Sequence, residues 1–297
     1  GLALAPLALE AFRIVRCPQP LRVDGTPLEQ QLVQAAREAM VNAARHSGAG
    51  KVDVYLEFRN DKAVGLGVPL PAGRIPCVIA LHGNSTNGDF FRQTSDLNTI
   101  ADANGFAVCY PEGTPDGTAE FWNGWESTGP ESAFDDVNFI KWLGYELTTR
   151  ADIDRGKQYL VGFSGGAKLA QRVASEAGAY FAAVASVSGG LTSIPVEGVT
   201  WTIPLLHIHG ASDSTVPYAG GEGTPASNMP NLDIEGEVMP YWADLNGGTL
   251  TPTVTTPTGY TKKDYTGTGV TTWLYKVTSG EHFWHMSSPA SPPTLDA

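Results

Sequence analysis

Residues 158–177 read QYLVGFSGGAKLAQRVASEA, and the change of period inside that stretch decides the fold. Gln158 to Phe163 is a short apolar run, as a strand buried on both faces must be, whereas from Gly166 to Ala177 small and apolar residues follow a helical spacing. Between them stands GFSGG at 162–166, which matches G-x-S-x-G. A serine placed there is forced into a sharp turn that lifts its hydroxyl above the sheet, and the small flanking residues permit close backbone approach. The bland alternative is a glycine-rich turn whose serine merely caps the helix.

Outward from this point the same alternation repeats. Cys77 to Leu81, Phe106 to Tyr110, Phe181 to Val187 and Ile203 to Ile208 are further short apolar runs bounded by Gly or Pro. Helical stretches are predicted between them at Phe91 to Ala103 and Asp135 to Thr149, the latter with Phe139, Ile140, Leu143 and Leu147 on one face. Strand and helix in alternation predict an α/β domain: a mostly parallel twisted sheet with helices on both faces. Residues 219–260 are rich in Gly, Pro and Thr and read as an insertion or lid before the last strand, Thr271 to Val277, with room for a helix around Ala243. The N-terminal part predicts a helix over 28–46, then a hairpin of Val52 to Phe58 and Ala63 to Leu70. The domain division is therefore 1–50, a helical extension, and 51–297, the α/β unit.

Composition narrows the function. With 19 basic against 31 acidic residues the net charge is −12, a field that repels polyanions, so nucleic acid and anionic membrane are not expected partners. Hydrophobic residues make up 42% of the 297, enough for a large core, but no apolar run reaches the roughly 20 residues that span a bilayer. Cys17, Cys77 and Cys109 allow one disulfide at most, and Cys77 and Cys109 read as buried small hydrophobes. The opening GLALAPLALEAF lacks the basic start and cleavage site of a signal peptide and begins with Gly, so the natural chain is expected to start upstream.

The chemistry follows from chain order. Ser164 is followed by Asp213, just past the strand ending in His209 and Gly210, and by His282, just past the strand ending in Val277. Each falls after a strand's carboxyl end, the edge where ligands bind in open parallel sheets. A hydroxyl needs a base to take its proton, which assigns Ser164 as nucleophile, His282 as base and Asp213 as the acid that orients the imidazole. His285 competes with His282 as base, and Asp213 in ASDST has a turn-forming alternative. The backbone N–H groups of Asn84, after the first core strand, and Gly165 are the candidate oxyanion donors. Trp122 and Trp125 in FWNGW (121–125), with Trp284 beside the base, are candidate substrate contacts, with packing as the alternative. His82, His207 and His209 read as hydrogen-bonded structure. No metal is expected, because H-E-x-x-H is absent and nothing marks a third ligand, and Asp135 with Asp136 reads as a helix start rather than a glycosidase pair.

Six ordered motifs, ALHG at 80–83, GFAVCYPE at 105–112, DDVNFI at 135–140, GFSGG at 162–166, HGASDSTVP at 209–217 and EHFW at 281–284, together resemble the secreted polyhydroxybutyrate depolymerase and feruloyl esterase group of α/β-hydrolases over residues 70–290. The resemblance implies an α/β-hydrolase fold and a serine carboxylesterase with Ser164, Asp213 and His282 in the roles already argued. It implies an acyl-enzyme, no cofactor, and a secreted or periplasmic setting. Plant-wall aromatic esters are the first expected substrates and hydroxybutyrate polyesters the second. It disfavours His285, which stands where the family usually has Pro, and it implies a final helix beyond Leu295, Asp296 and Ala297. Separately, REAMVNAARH at 37–46 is similar to the N-box helix of histidine kinase ATPase domains, with Glu38 and Asn42 at its Mg-ATP positions, but the glycine-rich box that must hold the nucleotide is missing. A non-catalytic polymer-binding relative and a chimeric nucleotide-binding fusion are the alternatives of other classes.

Overall fold

The computed structural model describes residues 54–57, 74–116, 119–124, 134–150, 153–194, 199–223 and 230–285. The predicted helix over 28–46, the strand Ala63 to Leu70, Cys17, Trp125 and the last residues lie outside them. The described chain runs β1 (Val54–Glu57), β2 (Ile75–Leu81), α1 (Gly88–Thr94), α2 (Leu97–Asn104), β3 (Ala107–Pro111), the small hairpin β4 (Thr114–Asp116) and β5 (Ala119–Phe121), then α3 (Asp136–Arg150), β6 (Ile153–Phe163) and α4 (Gly165–Ala177). It continues through β7 (Ala183–Val187), β8 (Leu205–Gly210), α5 (Met239–Leu245), β9 (Thr253–Thr255), β10 (Tyr260–Asp264) and β11 (Thr272–Val277).

Nine of these strands form one sheet in the order β1-β3-β2-β6-β7-β8-β11-β10-β9. The centre, from β3 to β11, is parallel, and β1, β10 and β9 are antiparallel additions at the two edges. Alternation along the strands splits the core. Ile79, Leu81, Leu160, Val184, Leu205 and Leu274 face α3, α4 and α5, while Ala80, Val108, Tyr110 and Val161 face α1 and α2. Helices thus cover both faces, which buries central strands that are apolar on both sides.

Two expectations are corrected. The single helix over Phe91 to Ala103 is two, α1 and α2, because Asp96 takes a left-handed φ of 59°. The Ser95 carbonyl at that break accepts the Trp284 indole N–H at 2.9 Å. The stretch read as an insertion or lid carries a helix around Ala243, as expected, but supplies core: Trp242, on α5, is fully buried and its indole N–H donates to Gln171 Oε1 at 2.9 Å, tying α5 to α4. Burial of a side chain that size contributes roughly 3 kcal/mol. The strand Val54–Glu57 pairs antiparallel with β3, and its expected hairpin partner, Ala63 to Leu70, lies outside the described residues. Cys77 and Cys109 are free and buried, and burial pushes the Cys77 thiol up to about 12, as for inert core cysteines. No helix among the described residues is long and apolar enough to cross a membrane.

Candidate active site

The parallel strands β2, β6, β8 and β11 all end at the same edge, and the loops that follow them carry Asn84, Ser164, Asp213 and His282. Ser164 sits at φ 54°, ψ −118°, a strained backbone that a β6-to-α4 elbow imposes. Its N–H is held by the Val187 carbonyl at 2.9 Å, and its own carbonyl accepts the N–H groups of Ala167 and Lys168. The glycines of the motif are explained by contact: a Cβ at Gly162 would run into the Gly166 carbonyl, and one at Gly166 into the Leu81 carbonyl.

The Ser164 hydroxyl makes no cap with its helix. Its Oγ lies 2.9 Å from His282 Nε2, and His282 Nδ1 lies 2.8 Å from Asp213 Oδ2. The carboxylate requires that Nδ1 carry the proton, which leaves Nε2 with the lone pair that faces the serine. The other Asp213 oxygen accepts the N–H groups of Thr215 and Val216 at 2.9 and 2.8 Å. Burial alone would raise the Asp213 carboxyl, but hydrogen bonds from His209 and His282, the His282 charge and the Val216 N–H outweigh it and hold the carboxyl well below its usual range. Asp213 is therefore ionised at neutral pH.

The loop carrying His282 is fastened on several sides. Ser188 Oγ–H donates to the Phe283 carbonyl at 3.1 Å, and the Ser212 N–H to the Gly280 carbonyl at 2.8 Å. Trp284 packs edge-on against Phe91 at 4.9 Å between ring centroids. With its N–H spent on Ser95, this half-buried indole pins the loop. His285 sits half-buried behind it, with Nε2 lacking a hydrogen-bond partner among the described residues. Burial first, then the neighbouring His209, lowers its pKa. Ser164 and Asp213 both meet His282 instead.

Asn84 and Gly165 are brought together, the Asn84 side chain lying against the Gly165 Cα. Gly165 is also the first residue of α4, where the helix presents its positive end. Behind Asn84 stands His82, fully buried, with Nδ1–H donating to the Gly83 carbonyl and Nε2 accepting the Gly113 N–H, both at 2.9 Å. Burial drops its pKa to about 4, against the opposing pull of the Gly83 carbonyl. His82, Glu112 and Glu120 lie within metal-ligand reach of one another, but His82 Nε2 is taken by Gly113 and Glu112 Oε2 by the Gly88 N–H at 2.8 Å. These atoms brace loops.

Of the aromatic candidates, Trp284 pins its loop and Trp122 packs, while Trp125 lies outside the described residues. Trp122 is 3% exposed, its N–H bonded to the His82 carbonyl and its ring on His82, so it supports the loop and offers no face to a ligand. An exposed ring that sequence reasoning passed over is Phe283, next to His282 in the chain and 55% exposed. Sequence reasoning also missed that His209 Nε2 lies 3.3 Å from Asp213 Oδ2, although His209 stands four residues before that aspartate.

A mostly parallel sheet with a serine on a strand-to-helix elbow, and with histidine and aspartate on later loops of the same edge, defines an α/β-hydrolase. The fold is shared with an acetyl xylan esterase from Aspergillus awamori, with a TM-score of 0.57 and 17% identity over 78% of this chain and 89% of that one. More narrowly, the chain belongs to the Esterase PHB depolymerase family, whose model matches residues 63–252. It is similar to the putative esterase NocK of Nocardia uniformis, 36% identical over 68% of this chain and 56% of that protein. It is also similar to a probable feruloyl esterase C of Aspergillus clavatus, 31% identical over 36% of this chain and 38% of that protein. The chain thus spans less than two thirds of either relative's length.

Proposed function

We propose that the protein is a serine carboxylic-ester hydrolase working through an acyl-enzyme. The observation that carries this reading is the unbroken chain from Ser164 Oγ through His282 to Asp213, with 2.9 and 2.8 Å links. Ser164 Oγ attacks the ester carbonyl carbon as its proton passes to His282 Nε2, and Asp213 stabilises the resulting imidazolium. The charge on the carbonyl oxygen is met by the Asn84 and Gly165 N–H groups, with the α4 terminus behind them. On collapse His282 returns the proton to the leaving alcohol. Water, deprotonated by the same nitrogen, then releases the acid and frees Ser164.

Aromatic plant-wall esters are the first substrates of this reading, supported by the likeness to feruloyl esterase C and by the exposed ring of Phe283 beside His282. Hydroxybutyrate oligomers are the second, favoured by the family itself. A plant-wall substrate goes with a secreted or periplasmic enzyme. The chemistry belongs to 51–297, so removing residues 1–50 should leave turnover in place; its loss would overturn that division. Assayed side by side, methyl ferulate is expected to be cleaved faster than acetylated xylan or hydroxybutyrate oligomers, with all turnover lost in Ser164→Ala. Preference for the oligomers would reverse the substrate order, and hydrolysis of any of these esters undiminished in Ser164→Ala would end the proposal.

A further inference from the structure

Asp213 is approached by two imidazoles. His282 is one; the other is His209, which arrives from the end of β8 with its ring fully buried. His209 Nε2 lies 2.8 Å from the Val216 carbonyl and 3.3 Å from Asp213 Oδ2, the same oxygen that His282 contacts. A carbonyl and a carboxylate both accept, so Nε2 carries a proton that leans toward Val216 and is shared with Asp213. In a neutral His209 ring Nδ1 then holds the lone pair, and it lies 3.0 Å from His207 Nε2. That nitrogen must donate, which makes His207 an Nε2–H imidazole as well. The direction of the whole line is fixed: His207 to His209, His209 to Val216 and Asp213.

The line ends at His207 Nδ1, a buried acceptor with no hydrogen-bond partner among the described residues. A polar atom left bare in a core is costly, and an apolar side chain would fill that strand position at less cost. What His207 does there is visible at its other nitrogen. Were His209 to take the opposite tautomer, its Nε2 lone pair would face two oxygens at once, a carbonyl and an anion. His207 donates to Nδ1 and so forbids that state.

We propose that His207 and His209 form a positioning dyad for the acid: His209 shares one N–H between Val216 and Asp213, and His207 locks the tautomer that allows it. This rests on Ser164, His282 and Asp213 acting as proposed above. The dyad holds the carboxylate plane toward His282, and it draws off part of the negative charge that would otherwise act on the imidazolium. The ionisable groups facing His209 are His207 on its own strand, Asp213 and Tyr218 in the loop that follows, and His285 from the loop of the base. Tyr218 is itself held by Glu235 and lies under the Lys276 ammonium.

The discriminating pair of variants is His209→Gln and His209→Asn. The Gln amide reaches the Nε2 position with an N–H, whereas Asn stops at the Nδ1 position. With a p-nitrophenyl ester, His209→Asn is expected to lose about tenfold or more in kcat with KM changed less than about twofold. Its kcat/KM acid limb should move up by roughly half a pH unit, because an unshared carboxylate favours His282 in its charged form. His209→Gln should recover most of both. Equal kcat and equal acid limbs in the two variants would overturn the dyad. Should neither variant fold, imidazole nitrogen NMR on the unaltered protein decides: Nε2–H tautomers at both His207 and His209 support the dyad, and an Nδ1–H tautomer at His209 overturns it. Organophosphonate labelling of Ser164 in the unaltered protein separates the two failures. Without labelling the triad reading itself falls; with it, unchanged variants count against the dyad alone.

Discussion

Two of the histidines that stand beside carboxylates differ in what their second nitrogen meets, and only His282 is placed as the proposed base requires. His282 lies 2.8 Å from Asp213, and its second nitrogen faces a serine hydroxyl at a partly open edge. His82 lies 3.8 Å from both Glu112 and Glu120, yet its two nitrogens are spent on the Gly83 carbonyl and the Gly113 N–H, and its ring never meets solvent. The residue types are alike; what differs is the partner of the second nitrogen and access to a substrate. A histidine whose both nitrogens serve backbone groups is a staple, and one with a free lone pair toward a hydroxyl is a base.

The largest effect expected from this contrast is at the acid. Asp213→Asn would turn a pure acceptor into a group that can also donate, favour the wrong His282 tautomer, and cut kcat about 10³–10⁴-fold in the protein that remains folded. A loss below tenfold would put Asp213 on the side of the staples. The reverse pattern is expected at His82→Leu. Two buried backbone groups lose their partner, so unfolding by urea should show a loss of about 2–4 kcal/mol, with the surviving folded protein keeping activity within about tenfold. Abolished turnover in a fully folded variant would give His82 a chemical role.

Much of this was legible in the sequence, and for a physical reason. Strands buried on both faces must be apolar throughout, so 158–163 and its companions stand out, and the elbow glycines are demanded by contacts that leave no room for a Cβ. What escaped depends on partners distant along the chain. The break between α1 and α2 is stabilised by an indole 189 positions away, and the choice left open for Trp122, substrate contact or packing, is decided by its hydrogen bond to the His82 carbonyl. β9, at the sheet edge, and β10 beside it were missed because these short strands, rich in Thr and Lys, carry no apolar run. The His209 contact follows from a strand end and a turn placed side by side, which spacing alone does not reveal.

A smaller effect sharpens the same contrast through pH. The ordinary value for His82 is 6.5 and its folded value is about 4, so between those limits the unfolded chain takes a proton that the folded one refuses. His207 and His285 are lowered as well, in the same direction. Stability is therefore full above about pH 6.5 and lost as pH falls toward 4, with the depressed Asp213 adding its own loss only below its ordinary 3.8. Melting curves should show the midpoint falling across that window, and a midpoint that holds flat or rises on acidification would contradict the buried neutral histidines.

The central claim is that His282, backed by Asp213, makes the Ser164 hydroxyl a nucleophile. Treating the protein with an organophosphonate and locating the adduct by mass spectrometry tests it most directly. A single adduct on Ser164, absent when His282 is replaced by Ala, is the expected result; an unlabelled Ser164, or labelling that persists undiminished without the imidazole, would contradict it.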